Sequence, residues 1–213
     1  ADLVRRWKGT GKFVCGYVGT VGMAHGLHVV LDAAEKLQQQ NRDDVAFWIV
    51  GEGAMRRKLQ EDAKRRHLNN VVFTGQISKN EVASVIASCD ACLVHLRGTE
   101  LFRSVVPSKI FETMALNTPI IMGVDGPARE IVLDASAGVP MTPDNPTSLV
   151  QCIDVLASDR QRCRTGRQYV SQFYSRDRFA DSMLNLLRTH GGVAVDITEM
   201  QPAASEPAAS KAA

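Results

Sequence analysis

The sequence contains no apolar run approaching the roughly 20 residues that a membrane-crossing helix needs. It also lacks the charged-then-apolar opening of a secretory leader, so the chain is read as soluble. It opens on Ala1 rather than Met, which points to a fragment or a processed form. An excess of one charge is missing too. Twenty-five Lys and Arg face 23 Asp and Glu, a formal net charge of +2, and no electrostatic case for a nucleic-acid partner follows.

Cysteine is sparse and unpatterned. The five thiols (Cys15, Cys89, Cys92, Cys152, Cys163) are an odd number without framework spacing. Cys89-Asp-Ala-Cys92 has the spacing of a redox or zinc pair, but no second pair accompanies it. Cys92 also falls in the apolar run Ala91-Cys92-Leu93-Val94, where a small buried thiol fits. Neither a resident metal nor a cofactor is expected, and free thiols suit a reducing compartment. No G-x-x-x-x-G-K-[ST] phosphate loop occurs.

What the sequence does have is alternation. Phe13–Val18, Val45–Val50, Val71–Thr74, Ala91–His95 and Pro119–Met122 are short, nearly continuous apolar runs, the pattern of strands buried on both faces. Helix-period segments lie between them, such as the stripe Leu27, Val30, Leu31, Ala34 and Leu37 and the shorter one Met55, Leu59 and Ala63. Ser78-Lys-Asn-Glu81 is a capping box, Asn145-Pro146 a cap with a first-turn proline, and a last helix runs from about Arg176 to Leu187. The pattern predicts an α/β fold, a doubly wound parallel Rossmann-like sheet with helices on both faces. Residues 13–190 form the expected domain and 1–12 a linker or the remnant of a preceding one. Residues 191–213, rich in Pro, Ala and Ser, are expected to be disordered.

In such a sheet, ligands bind beyond the carboxyl ends of the strands. Gly16-Tyr-Val-Gly19-Thr20-Val-Gly22, Gly51-Glu-Gly53 and Gly75-Gln76-Ile77 are the loops that follow the first three strands. Each glycine can be a plain turn; together they favour a crevice. The fourth loop is long and leads into Pro107-Ser108-Lys109-Ile-Phe-Glu112. Pro107 suits a first helical turn, which would aim the Ser108 and Lys109 N–H groups and the Lys109 ammonium at a phosphate. Glu112, one turn on, could accept both hydroxyls of a ribose. Equally, Lys109 and Glu112 could be a solvated i,i+3 ion pair.

Taken in order, Gly16-Tyr-Val-Gly19, Ile49-Val-Gly51-Glu-Gly53, Val72-Phe-Thr-Gly75, Pro107-Ser-Lys-Ile-Phe-Glu112-Thr-Met-Ala115, Thr118-Pro-Ile-Ile and Arg129-Glu-Ile-Val132 resemble the C-terminal domain of group 1 glycosyltransferases. These are GT-B enzymes of the GT4 type, and Pro-Ser-Lys-Ile-Phe-Glu is similar to bacterial envelope-polysaccharide transferases of the fucosamine type. The resemblance covers roughly Phe13 to Leu187. It implies one half of a GT-B fold that binds a nucleotide-diphosphate sugar, with uridine as the base. An N-terminal acceptor-binding domain or subunit would be the partner, and a lipid-linked or polysaccharide alcohol the acceptor.

The implied reaction is hexosyl transfer with retention and without a tightly bound metal. A cytoplasmic location follows, with at most peripheral contact at the inner face of the plasma membrane. The resemblance implies that Glu112 corresponds to the second acid of Glu-x7-Glu, that Gly75–Ile77 meet the base through backbone groups, that Gly19 and Thr20 lie near the diphosphate, and that Glu130 matches a family Glu. Ser104 stands where the first acid belongs, and Thr20 and His25 where Arg and Lys are usual. The cationic task passes to Lys109, with Arg97 or Arg103 in support, and Lys109 becomes the candidate catalytic residue.

His25 could donate to a phosphate or lie exposed at a helix start. His95 is a weaker candidate, and His67 and His190 read as surface residues. The rival functions are a nucleotide-sugar epimerase or hydrolase on the same scaffold, a non-catalytic donor-binding subunit, and a dehydrogenase domain using Glu52 as its ribose acid.

Overall fold

The computed structural model describes residues 11–190. The linker expected over 1–12 therefore lies outside them except for its last two positions, and the disorder expected for 191–213 lies wholly outside. The chain divides into two compact units, Ala1–Tyr174 and Ser175–Ala213.

In the first unit, six strands form one sheet in the order β3-β2-β1-β4-β5-β6, all paired in parallel. They are β1 (Phe13–Val18), β2 (Val45–Val50), β3 (Val71–Gly75), β4 (Ala91–His95), β5 (Ile120–Gly123) and β6 (Gly138–Pro140). The helices between them are α1 (His28–Gln39), α2 (Arg56–Arg65), α3 (Lys79–Ile86), α4 (Lys109–Ala115) and α5 (Pro127–Asp134). After β6 come α6 (Pro146–Ser158) and α7 (Gly166–Phe173). The strand order reverses between β1 and β4, which is where a doubly wound sheet opens a crevice.

Every residue of β2 and β4 is buried, so these strands tolerate no polar alternation. Alternate side chains feed two cores. On one face, Tyr17, Phe47 and Ile49 pack with Leu31 and Leu37 of α1 and Leu149 and Ile153 of α6. On the other, Val14 and Trp48 meet Val85 and Ile86 of α3, while Met122 meets Ile110 and Met114 of α4. Burying a Leu or Ile completely contributes about 1.5–3 kcal/mol, so each face is held by many such terms.

The caps fall where expected. Ser78 and Glu81 form the capping box of α3, and the Asn145 side chain accepts a 3.0 Å bond from the Ser148 N–H to start α6. Pro107 departs from expectation. Helix α4 begins at Lys109 with Ser108 as its N-cap, so Pro107 precedes the helix rather than opening it. Its carbonyl still accepts from the Ile110 N–H at 3.1 Å, a tight first turn.

Strand β6 has only three residues, too few for a sequence pattern. Gly166, which opens α7, is buried because a Cβ there would sit 2.8 Å from Met114 Cβ; the glycine lets α7 pack closely on α4. The second unit contains α8, Arg176–His190, with Phe179, Met183, Leu186 and Leu187 along one stripe.

Candidate functional site

Four strand-end loops enclose a cavity of about 530 Å³. Gly19 and Thr20 come from the loop after β1, and Gly51 and Glu52 from that after β2. Gln76 and Ile77 follow β3, while Ser108, Lys109 and Glu112 lie beyond the long loop after β4. His25 and the apolar walls Val18, Val50 and Val82 complete it. Of the residues read in the sequence as donor-binding, Gly53 and Gly75 are not in the lining.

Gly53, like Gly51 in the lining, has a packing role. The first and second loops are laced by main-chain bonds: Gly19 N–H to Val50 O at 2.9 Å, Val21 N–H to Glu52 O at 2.8 Å, and Met55 N–H to Val21 O at 2.9 Å. A Cβ on Gly51 would lie 2.0 Å from Gly19 O, and one on Gly53 would lie 2.4 Å from Val21 O. Both glycines also have positive φ, +137° and +154°. They are glycine because main chain meets main chain there. Gly16 is likewise explained by packing, since a Cβ would sit 2.4 Å from Cys89 Sγ.

Lys109 does not pair with Glu112. Its Nζ reaches back across the sheet to the Tyr17 hydroxyl at 3.3 Å and lies 4.3 Å from the centre of the Tyr17 ring. Tyr17 is 1% exposed, and its hydroxyl donates to the Thr20 carbonyl at 2.6 Å. Burial lowers the Lys109 pKa to about 8, only partly opposed by the charges of Cys92 and Glu112. Burial likewise raises that of Tyr17. Glu112 is exposed, and among the described residues its carboxylate holds no hydrogen bond or ion pair. Among the described residues the N–H groups of Thr20, Gln76, Ile77, Ser108 and Lys109 donate to no protein acceptor either. The cavity thus presents one half-buried ammonium, a set of backbone donors and one unspent carboxylate.

The other cations are engaged elsewhere. Arg103 is exposed and pairs with Glu100 at 3.1 Å. Arg97 lines a separate cavity with His28, Asp32, Lys58 and Asp144. Neither reaches the cavity that holds Lys109. Glu52 does line it, but its Oε1 is held at 3.1 Å by Arg56. Ser104 and Glu130 are exposed and outside the lining.

His25 is half-buried, with its Nδ1 buried and unpartnered and its ring edge-on to Tyr17 at 5.8 Å. Burial, then the nearby Lys109 charge, lowers its pKa and keeps the imidazole neutral. His95 is a brace. Its buried Nδ1 donates to His25 O at 2.7 Å while Nε2 accepts from the Asp144 N–H at 2.9 Å. Those two bonds fix its tautomer and tie three loops together. His67 is exposed; the His190 side chain lies outside what the structure describes. Cys15, Cys89, Cys92 and Cys152 are buried, Cys163 partly so, and all are free. Among the described residues no group of His, Cys, Asp and Glu could hold a metal ion.

The sequence model of the family described as glycosyl transferases group 1 matches residues 5–173. The chain belongs to that family. Among curated relatives, it is 25% identical to the O-antigen chain mannosyltransferase C of Escherichia coli over 196 residues, 89% of this chain and 50% of the relative. It is 30% identical to the GDP-mannose-dependent alpha-mannosyltransferase of Mycolicibacterium smegmatis over 162 residues, 75% of this chain and 39% of the relative. This glycosyltransferase chain therefore spans about half the length, or less, of these curated relatives.

Many solved structures share its fold, among them the following two. Anabaena Alr3699/HepE with UDP-glucose superposes with a TM-score of 0.72 at 21% identity, covering 88% of this chain and 52% of that one. The C-terminal domain of the group 1 protein LpcC from Francisella tularensis has a TM-score of 0.66 at 21% identity, covering 82% and 92%. The fold is that of a GT-B glycosyltransferase domain.

Proposed function

We propose that this chain is the donor-binding half of a hexosyltransferase, and that the cavity beyond β1–β4 takes a nucleotide-diphosphate sugar. The observation that carries the reading is the unpaired Lys109 ammonium among backbone N–H groups that donate to nothing else. A half-buried ammonium beside free donors is a ready site for an anion, and a diphosphate fits it. Gly19, Thr20, Ser108 and Lys109 form the diphosphate end, with Gly51 shaping it; Glu112 takes the ribose hydroxyls, and Gln76 and Ile77 meet the base. Gly53 and Gly75 act by shaping their loops rather than by touching the donor. Lys109 stabilises the charge on the departing diphosphate, and transfer retains the anomeric configuration.

Uridine is the proposed base, supported by the complex of the similar Anabaena protein with UDP-glucose. A guanosine donor is the second reading, favoured by the 30% identity to a GDP-mannose-dependent enzyme. The proposed partner is an N-terminal acceptor-binding domain or subunit, and the acceptor an alcohol of a lipid-linked or polysaccharide chain. The proposed location is the cytoplasm, at the inner face of the plasma membrane. Among the described residues no helix is long and apolar enough to cross a membrane, and the free thiols suit reducing conditions.

Calorimetry with UDP, GDP, NAD and inorganic pyrophosphate tests the reading. A nucleoside diphosphate should bind and NAD should not. Lys109→Ala should weaken nucleoside diphosphate and pyrophosphate alike, by about 1.5–3 kcal/mol for a lost charge-assisted bond. Glu112→Gln should weaken the nucleoside diphosphate and leave pyrophosphate unchanged. Unaltered affinities in both variants would overturn the assignment.

A further inference from the structure

We propose that Tyr17 is the positioning residue for Lys109: its buried hydroxyl and ring hold the ammonium at the cavity floor and tie it to the loop that carries Thr20. The inference rests on the reading of Lys109 as the cation that meets the diphosphate. Residues 92 positions apart are joined by one hydroxyl, which gives its only proton to the Thr20 carbonyl at 2.6 Å. Toward Lys109 that oxygen can therefore only accept, and it meets the Nζ at 3.3 Å. The ring face below, 4.3 Å from Nζ, also favours the charged form.

No carboxylate forms an ion pair with Lys109 among the described residues, and Tyr17 is the side chain that meets the ammonium directly, with Cys92 and Glu112 acting on it from farther off. One of three ammonium protons is spent on Tyr17 and two remain for a ligand. Gly19 belongs to the same arrangement. A Cβ there would come 2.8 Å from Nζ, on a backbone with φ of +146°, so a side chain would displace the ammonium. The other titratable groups facing Lys109 are His25, Cys92 and Glu112.

The test uses the full chain and the variant Tyr17→Phe, which keeps the ring and removes both hydroxyl bonds. Inorganic pyrophosphate affinity, measured by calorimetry across pH, should fall on the order of tenfold. In a Lys109→Ala background the same change should have no further effect. NMR titration of the Lys109 Cε signal without ligand should show a lower midpoint in Tyr17→Phe than in the parent chain.

A folded Tyr17→Phe protein with the parent's affinity and midpoint overturns the proposal. So does a loss of affinity that persists fully without Lys109, because it would be a packing effect. If Lys109→Ala binds pyrophosphate as the parent does, the reading of Lys109 itself falls, a result separable from the failure of Tyr17.

Discussion

At the residue scale, Lys109 has a proton equilibrium that folding and ligand move in opposite directions. Burial lowers its pKa to about 8 from an ordinary 10.5. Between those values the unfolded chain holds the proton and the folded chain does not, so this group makes stability rise with pH across that window. A diphosphate bound as proposed needs the ammonium. Relative to a Lys109→Arg variant, which cancels the ligand's own titration, pyrophosphate affinity of the parent should be constant below about pH 7 and weaken by up to tenfold per unit above about 8. Calorimetry in buffers of different ionisation enthalpy would also show proton uptake on binding near pH 8.

Gly51 offers a second test at this scale. Gly51→Ala would force a methyl to within 2.0 Å of Gly19 O on a positive-φ backbone, and should cost at least about 2 kcal/mol in urea denaturation. The sequence showed Lys109 clearly and its true partner not at all. An i,i+3 neighbour such as Glu112 can be read from spacing, whereas Tyr17 lies 92 positions away and carries no local signal beyond a place in a buried strand. His95 was likewise legible only as a polar strand end. That it braces two distant loops depends on where His25 and Asp144 come to lie.

At the scale of elements, local chemistry did much of the work, and its success can be measured. The Asn145 cap closes on Ser148, so Asn145→Ala should lose about 1 kcal/mol of stability, seen as a lower thermal midpoint, with donor binding intact. Strands β1, β2 and β4 fall where their apolar runs stand because burial on both faces writes itself into every residue. Strand β6 does not, since three residues beside β5 are held by pairing rather than by pattern. Helix α7 was hidden by its opening Gly166, which local rules treat as a breaker and which packing against Met114 requires. The glycine loops were recognised as a group. Which of them face the cavity and which only lace the loops together is a tertiary matter.

At the scale of the molecule, the order β3-β2-β1-β4-β5-β6 brings the ends of four strands to one crevice, and every separately spaced motif gains its meaning from that reversal. The unit that binds a donor need not be the unit that uses it. The chain spans about half the length of the mannosyltransferase relative it matches, and we expect it to bind nucleotide yet transfer no sugar to an acceptor by itself. Radiolabelled donor and a lipid-linked acceptor mixture would check this, and robust turnover by these 213 residues would refute it.

The lacing of the first two loops has a consequence for how such a site can diversify. Where Gly19, Val21, Gly51 and Gly53 meet through main chain alone, there is no side chain to exchange, and an insertion in either loop would unzip both. That end of the cavity is a fixed socket. On the proposed reading, the freedom to accept a new base belongs to Gln76, Ile77 and Val82, which line the cavity outside that lacing. A library restricted to those three positions should retrain base preference while pyrophosphate affinity stays constant, as a handle keeps its grip when the blade is changed.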